Sequence, residues 1–111
     1  MNWITIESED ILNEAYDLSE NEKVLIFKYS PTCVINYIMK TLLEREWWDD
    51  AMRMKTYLVN VKQRNDISRK IENDLKVVHQ SPQAIVVYKR EAVYSASHGQ
   101  LKISNLKVYA N

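Results

Sequence analysis

A chain of 111 residues with fifteen basic and fifteen acidic side chains carries no net charge, so the electrostatic footprint of a nucleic-acid binder is absent. It is long enough to bury a core without disulfides or a structural metal, and its single cysteine excludes an internal bridge. No stretch reaches bilayer-spanning length, and the acidic start MNWITIESED lacks the basic residues and apolar run of a signal peptide. One domain over residues 1–111, in the reducing cytoplasm and with no membrane partner, is expected.

Near the N-terminus, Trp3, Ile4 and Ile6 make a short apolar alternation that fits an edge strand or a covering segment. From Ser8 to Ser19, Ile11, Leu12, Ala15, Tyr16 and Leu18 recur at intervals of three and four. With Ser8 as cap and acids in the first turn, this spacing predicts an amphipathic helix. Val24 to Tyr29 begins with four unbroken apolar residues, the pattern of a central strand covered on both faces. Pro31 cannot donate to a ladder and biases Ser30 toward extended geometry, so strand pairing should end just before Cys33.

A helix of roughly four turns is predicted from Cys33 through Val34, Tyr37, Ile38, Leu42 and then Trp47 or Trp48, with Met39 and Leu43 at its flanks. The tryptophan pair is either a patch facing a partner or a source of one ring that closes the core. Tyr57, Leu58, Val59 and Val61 read as a second buried strand, and Asn65 to Leu75 as a helix through Ile67, Ile71 and Leu75. Ala84 to Tyr88 and Ala92 to Ala96 are strands separated only by Lys89 to Glu91. They should form an antiparallel hairpin, although its turn has no glycine. After Gly99, the only glycine, Leu101, Ile103, Leu106, Val108 and Tyr109 fit a closing helix.

Short connections and right-handed crossovers leave few ways to assemble this order of elements. The natural one is α/β and thioredoxin-like: a central mixed sheet of about four strands, with two parallel strands, an antiparallel hairpin and helices on both faces. Such a domain places its chemistry at two positions, a thiol after the first core strand and a proline entering the third. Here these are Cys33 and Pro82, and the Ser81–Pro82 bond is expected to be cis. The first amides of a helix lack intrahelical partners and carry partial positive charge, which favours the thiolate, the reactive form of cysteine. The competing possibility is a binding module whose cysteine is inert.

Other chemistries fit poorly. One glycine leaves no glycine-rich phosphate cradle and no nucleophile elbow. Cys33, His79 and His98 lack regular metal-ligand spacing and a fourth ligand, so no metal site is expected.

Four runs in order, FKYSPTCVIN, VNVKQRNDIS, VVHQSPQ and SASH, resemble the monothiol bacilliredoxins, thioredoxin-like proteins of bacteria that use bacillithiol. The similarity extends from Val24 to His98. The chain departs from the family's usual residues at Val34 and Asn36, where proline and serine are common, and at Tyr29, where histidine is common. The resemblance implies that Cys33 is the nucleophile and that Asn36 occupies the place of the second cysteine of dithiol thioredoxins. No internal resolution is then possible. The implied mechanism takes bacillithiol from a capped protein onto Cys33 and frees Cys33 with another thiol, bacillithiol itself being the expected co-substrate. No tightly bound cofactor is expected, although some monothiol glutaredoxins share an iron–sulfur cluster between subunits. The residue pattern alone supports a reactive monothiol, with glutathione and coenzyme A open as the thiol handled.

Supporting roles follow from that implied site. Thr32, Asn36 and the amides after Cys33 are candidates to stabilise the thiolate. Lys28 either adds positive potential or snorkels to solvent. Ser81 and Pro82 would offer backbone to an incoming disulfide-bearing segment. Arg64 and His79 would bind the carboxylates of bacillithiol, and His98 reads as a turn or cap element.

Overall fold

The apolar run from Val24 becomes the middle strand of a five-stranded sheet in the computed structural model, which describes residues 1–47 and 53–110. The elements in chain order are β1 (Trp3–Thr5), α1 (Glu9–Ser19), β2 (Val24–Tyr29), α2 (Val34–Glu46), β3 (Lys55–Asn60), α3 (Asn65–Leu75), β4 (Gln83–Tyr88), β5 (Glu91–Ser97) and α4 (Ile103–Ala110). A three-residue 3₁₀ turn, His98–Gln100, precedes the last helix. The strands lie in the order β1-β3-β2-β4-β5. β1 and β2 flank β3 in parallel, while β4 runs antiparallel to β2 and β5 antiparallel to β4.

The expected central mixed sheet is present, with five strands where about four were expected. Trp3–Thr5 pairs with Thr56–Leu58 rather than merely covering them, because a three-residue edge strand needs only one partner. Side chains alternate across the sheet. Val24 and Ile26 of β2 join the core beneath α1 and α3, with Leu12, Ala15, Ile67 and Ile71. Leu25 and Phe27 point to the other core, with Leu43 and Trp47 of the α2 end and Ile103 and Leu106 of α4. One of the paired tryptophans, Trp47, thus closes the core; Trp48 lies outside the described residues.

Two local features diverge from the simple pattern for identifiable reasons. The helix predicted from Val34, Tyr37, Ile38 and Leu42 is present, yet that stripe faces outward: Val34 is 71% and Tyr37 66% exposed, while Asn36 and Leu43 are its buried residues. The hairpin turn is two residues, Lys89 and Arg90, both with positive φ (53° and 62°), where glycine would be the unstrained choice. Contacts to α1 hold it. Lys89 N–H donates to the Ser19 carbonyl at 2.6 Å, Arg90 N–H to Ser19 Oγ at 3.1 Å, and the Arg90 guanidinium meets Asp17 at 2.8 Å.

Candidate active site

The end of β2 is shaped by four residues that suit a tight turn. Cys33 N–H donates to the Ser30 carbonyl at 3.2 Å, with Pro31 in the second position, where its fixed φ is pre-set for the turn. Cys33 then becomes the N-cap of α2, extended at φ −104° and ψ 123°, and its carbonyl accepts the Tyr37 N–H at 3.1 Å. The sulfur is exposed.

Asn36, three residues on, is 1% exposed and holds this corner together. Its Oδ1 accepts the Ser30 N–H at 2.8 Å, stapling the first turn of α2 back to the strand end. That leaves its amide NH₂ for the sulfur. The Cys33 thiol is held below its ordinary range by the Asn36 backbone N–H first, then the Asn36 side-chain amide, then the Ile35 N–H. These groups act at longer range than a conventional capping bond, since the Cys33 side chain makes none. No cation contributes to the shift; helix-terminal amides and one buried carboxamide do.

The remaining expected residues separate into two groups. Ser81 and Pro82 are brought to the thiol's end of the sheet: Lys28, near the end of β2, pairs with Gln83, and Ser81 and Pro82 directly precede Gln83 in the chain. The Ser81–Pro82 bond is cis, and Pro82 is buried. The Pro82 carbonyl accepts the His98 N–H at 3.2 Å, with His98 at φ 52°, so His98 is a turn element as expected. Ser81 precedes β4 and pairs with no strand among the described residues. Thr32 sits in the turn, but its hydroxyl lies 3.4 Å from Ser30 Oγ and is not among the groups that shift the thiol.

Lys28 requires correction. It neither snorkels nor supplies potential to the sulfur, because it follows Val24 and Ile26 onto the α1/α3 face, whereas the thiol begins α2 on the other. It is fully buried, with Nζ 3.0 Å from the Ser68 carbonyl and 3.3 Å from His79 Nδ1. His79 is part of the same internal cluster, its Nδ1 2.8 Å from Ser68 Oγ. Arg64 caps α3, and its guanidinium makes a two-pronged contact with Asp66 at 2.7 and 3.0 Å and meets the Glu7 carbonyl. That arginine holds the Asp66 carboxyl down at about 2. Both side chains are thus engaged by protein groups.

Sequence reasoning missed Ser68 and Gln83, which complete the Lys28 cluster. A signal existed for Ser68: it falls on the stripe of Ile67, Ile71 and Leu75, where a serine must find a partner inside the protein. The Ile35 and Asn36 backbone amides are among the amides after Cys33 expected to steady the thiolate, and any residues at those places would supply them.

Residues 4–106 match the family described as Monothiol bacilliredoxin BrxC. The chain belongs to that family. The chain also superposes on a solved structure described as an oxidoreductase with a thioredoxin fold, at TM-score 0.74 and 31% identity, covering 98% of this chain and 94% of that one. A mutant thioredoxin from Halobacterium salinarum NRC-1 aligns at TM-score 0.72 and 16% identity over 99% and 92% of the two chains. Thioredoxin of Schistosoma mansoni aligns at 0.72 and 15% over 98% and 93%. At those identities the last two show the fold alone. No curated protein matches the chain. This bacilliredoxin is a thiol redox protein with a thioredoxin fold, and none of its helices among the described residues is long and apolar enough to cross a membrane.

Proposed function

We propose that this protein removes bacillithiol from S-bacillithiolated proteins through a mixed disulfide on Cys33. The observation that carries the proposal is an exposed thiol at a helix start, activated by amides, with Asn36 rather than a second thiol three residues on. The Cys33 thiolate attacks the bacillithiol sulfur of the capped protein; the S–S bond to the protein breaks, and the protein leaves as its thiolate. A second bacillithiol thiolate then attacks the bacillithiol sulfur on Cys33, which releases bacillithiol disulfide and regenerates the Cys33 thiolate. Each exchange forms one S–S bond and breaks one, so the step needs no other oxidant or reductant.

Three features support this assignment of roles. The Asn36 carboxamide steadies the thiolate without being able to attack it, so the intermediate awaits an external thiol. Val34 and Ile35, exposed in the first turn beside the sulfur, provide an apolar rim suited to a protein substrate. Ser81, unpaired with any strand among the described residues and just before the β4 residue that faces Lys28, offers backbone to the extended segment that bears the disulfide. A reducing compartment such as the cytoplasm suits the lone exposed thiol.

Intact-mass analysis of the reduced protein mixed with a bacillithiol-capped protein tests the proposal, with glutathione and coenzyme A caps in parallel and Cys33→Ala as control. The expected result is a bacillithiol adduct on the wild type and none on Cys33→Ala. Transfer of all three caps would keep the chemistry and remove its specificity. Transfer of none would leave a binding module.

A further inference from the structure

Behind the end of β2 that leads to the thiol, on the sheet face away from α2, lies a polar cluster of buried and half-buried side chains that the exchange chemistry does not use. Lys28 Nζ donates to the Ser68 carbonyl at 3.0 Å and lies 3.3 Å from His79 Nδ1, which is also 2.8 Å from Ser68 Oγ. The His79 backbone N–H donates to Glu72 Oε2 at 2.5 Å. Gln83 faces Lys28 across the β2–β4 ladder and donates Nε2 to the Val78 carbonyl at 2.9 Å. Its side-chain oxygen is buried without a partner among the described residues. An ammonium has three donors. Two acceptors are supplied by Ser68 and His79, and an orphan acceptor belongs to the residue directly opposite.

The cluster joins pieces of chain that the reaction needs in fixed relation. Lys28 is five residues before Cys33 on the strand that leads to it; His79 is two residues before Ser81, on the segment that ends in the cis proline. We propose that Lys28 is a positioning residue whose ammonium ties the segment from His79 to Pro82 to the thiol-bearing strand, setting the Ser81 backbone for the protein half of the mixed disulfide. The role rests on Cys33 being the nucleophile toward capped proteins.

The tie carries one positive charge. In the tautomer with Nδ1 unprotonated, that nitrogen accepts from Lys28 and shares its lone pair with Ser68 Oγ, whereas an imidazolium would place two cations 3.3 Å apart. From α3, Glu72 favours the charged form of both groups, while Arg69 opposes charge on His79; from β4 the facing residue, Gln83, is neutral. Burial pushes Lys28 down to about 8. Burial, and then the Lys28 charge, holds His79 below its ordinary range. The tie is intact between these limits. It weakens on the alkaline side, where the ammonium becomes an amine whose two remaining N–H bonds are no longer charge-assisted, and opens on the acid side as the imidazole becomes an imidazolium.

The test is the rate of bacillithiol transfer from a capped protein divided by the rate of Cys33 alkylation by iodoacetamide, from about pH 5 to about pH 9.5. The quotient cancels the thiolate fraction of Cys33. In the wild type it has a plateau and falls on both sides. In Lys28→Met it is several-fold lower and flat with pH. His79→Asn keeps an acceptor near the Nδ1 position but does not titrate, so the plateau and alkaline fall remain and the acid fall disappears. Lys28→Met should melt no lower than the wild type, since it removes a desolvated charge. A lysine with a merely structural role would lower the melting temperature and leave the pH shape unchanged. A Lys28→Met quotient with wild-type height and shape overturns the proposal. If capped proteins are not substrates even of the wild type, it is the proposed function that fails, and amide hydrogen exchange over residues 77–83 still tests the tie. Protection there should drop in the wild type between about pH 7 and about pH 9, relative to β2, and be low throughout in Lys28→Met. Unchanged protection in that variant overturns the proposal.

Discussion

The helices α2 and α3 each follow a parallel strand of the same sheet, on opposite faces, and divide their side chains in opposite ways. α3 turns Ile67, Ser68, Ile71 and Leu75 inward and leaves charged and polar residues outside. α2 buries only Asn36 and Leu43 and exposes Val34, Ile35, Tyr37, Ile38 and Leu42. The first distribution is that of a helix held by its core face. The second is that of a helix that presents its outer face, with the nucleophile at its start. Stability and chemistry are thus separated between two elements that look alike in a secondary-structure diagram, and substitutions can pull them apart.

The largest separation is expected at Ile71, fully buried in the core shared by α1 and α3. Ile71→Ala should cost about 2–5 kcal/mol of stability, from lost transfer energy plus the cavity left behind. That is a large fraction of the roughly 5–15 kcal/mol that holds a domain together, so the urea midpoint should drop clearly. The alkylation rate of Cys33 per folded molecule should not change, because no group that activates the sulfur belongs to α3. A parallel loss of thiol reactivity in the folded variant would erase the division between the helices.

Asn36 is the place where α2 does both jobs, and Asn36→Ala should show both effects at smaller amplitude. Removal of the carboxamide takes one of three named groups from the thiolate and leaves the backbone amides. The thiol pKa therefore rises, the pH profile of alkylation moves to the alkaline side, and the rate at pH 7 falls several-fold. The sign follows from linkage. A pKa depressed in the folded state favours folding above the unfolded-state value, and that contribution is lost as pH falls through the folded one. Asn36→Ala weakens this dependence. Separately, the Ser30 N–H loses its acceptor, which costs about 1–3 kcal/mol if the group stays buried and unpaired. An unshifted alkylation profile would mean that the backbone amides alone activate Cys33.

How much of this was legible in the sequence depended on the kind of signal each residue carried. The strand run from Val24, the α3 stripe and Ser8 as a cap were readable because each is a local pattern with a local cause; Ser8 Oγ does accept the Ile11 N–H, at 3.3 Å. Cys33 and Pro82 were readable because punctuation by proline marks where strands begin and end. The facing of α2 was not, since a stripe of apolar residues looks the same whether it meets a core or a partner. Lys28 misled for a related reason. Five residues from Cys33 it looked like a neighbour, but alternation along β2 turns it to the other face, and only the pairing with β4 and the packing of α3 reveal its company of Ser68, His79 and Gln83.

The smallest effect sharpens the comparison from the supporting side. α3 ends at Lys76, exposed and left-handed at φ 59° and ψ 38°, its N–H donating to the Glu72 carbonyl. This is a termination glycine makes without a Cβ penalty, whereas another L-residue pays about 1–2 kcal/mol in that region. Glycine returns part of the gain by loosening the unfolded chain, so Lys76→Gly should stabilise by about 0.5–1 kcal/mol net. A rise of a few degrees in melting temperature should follow. The turn also directs the chain into Val77 and on to His79, so its geometry matters to the thiol's surroundings. Because glycine keeps that geometry, bacillithiol transfer from a capped protein should proceed at the wild-type rate while the melting temperature rises. A slower transfer with the higher melting temperature would show that the backbone before His79 must be restrained by residue 76 itself, and that α3 contributes more to the reaction than the support of a core.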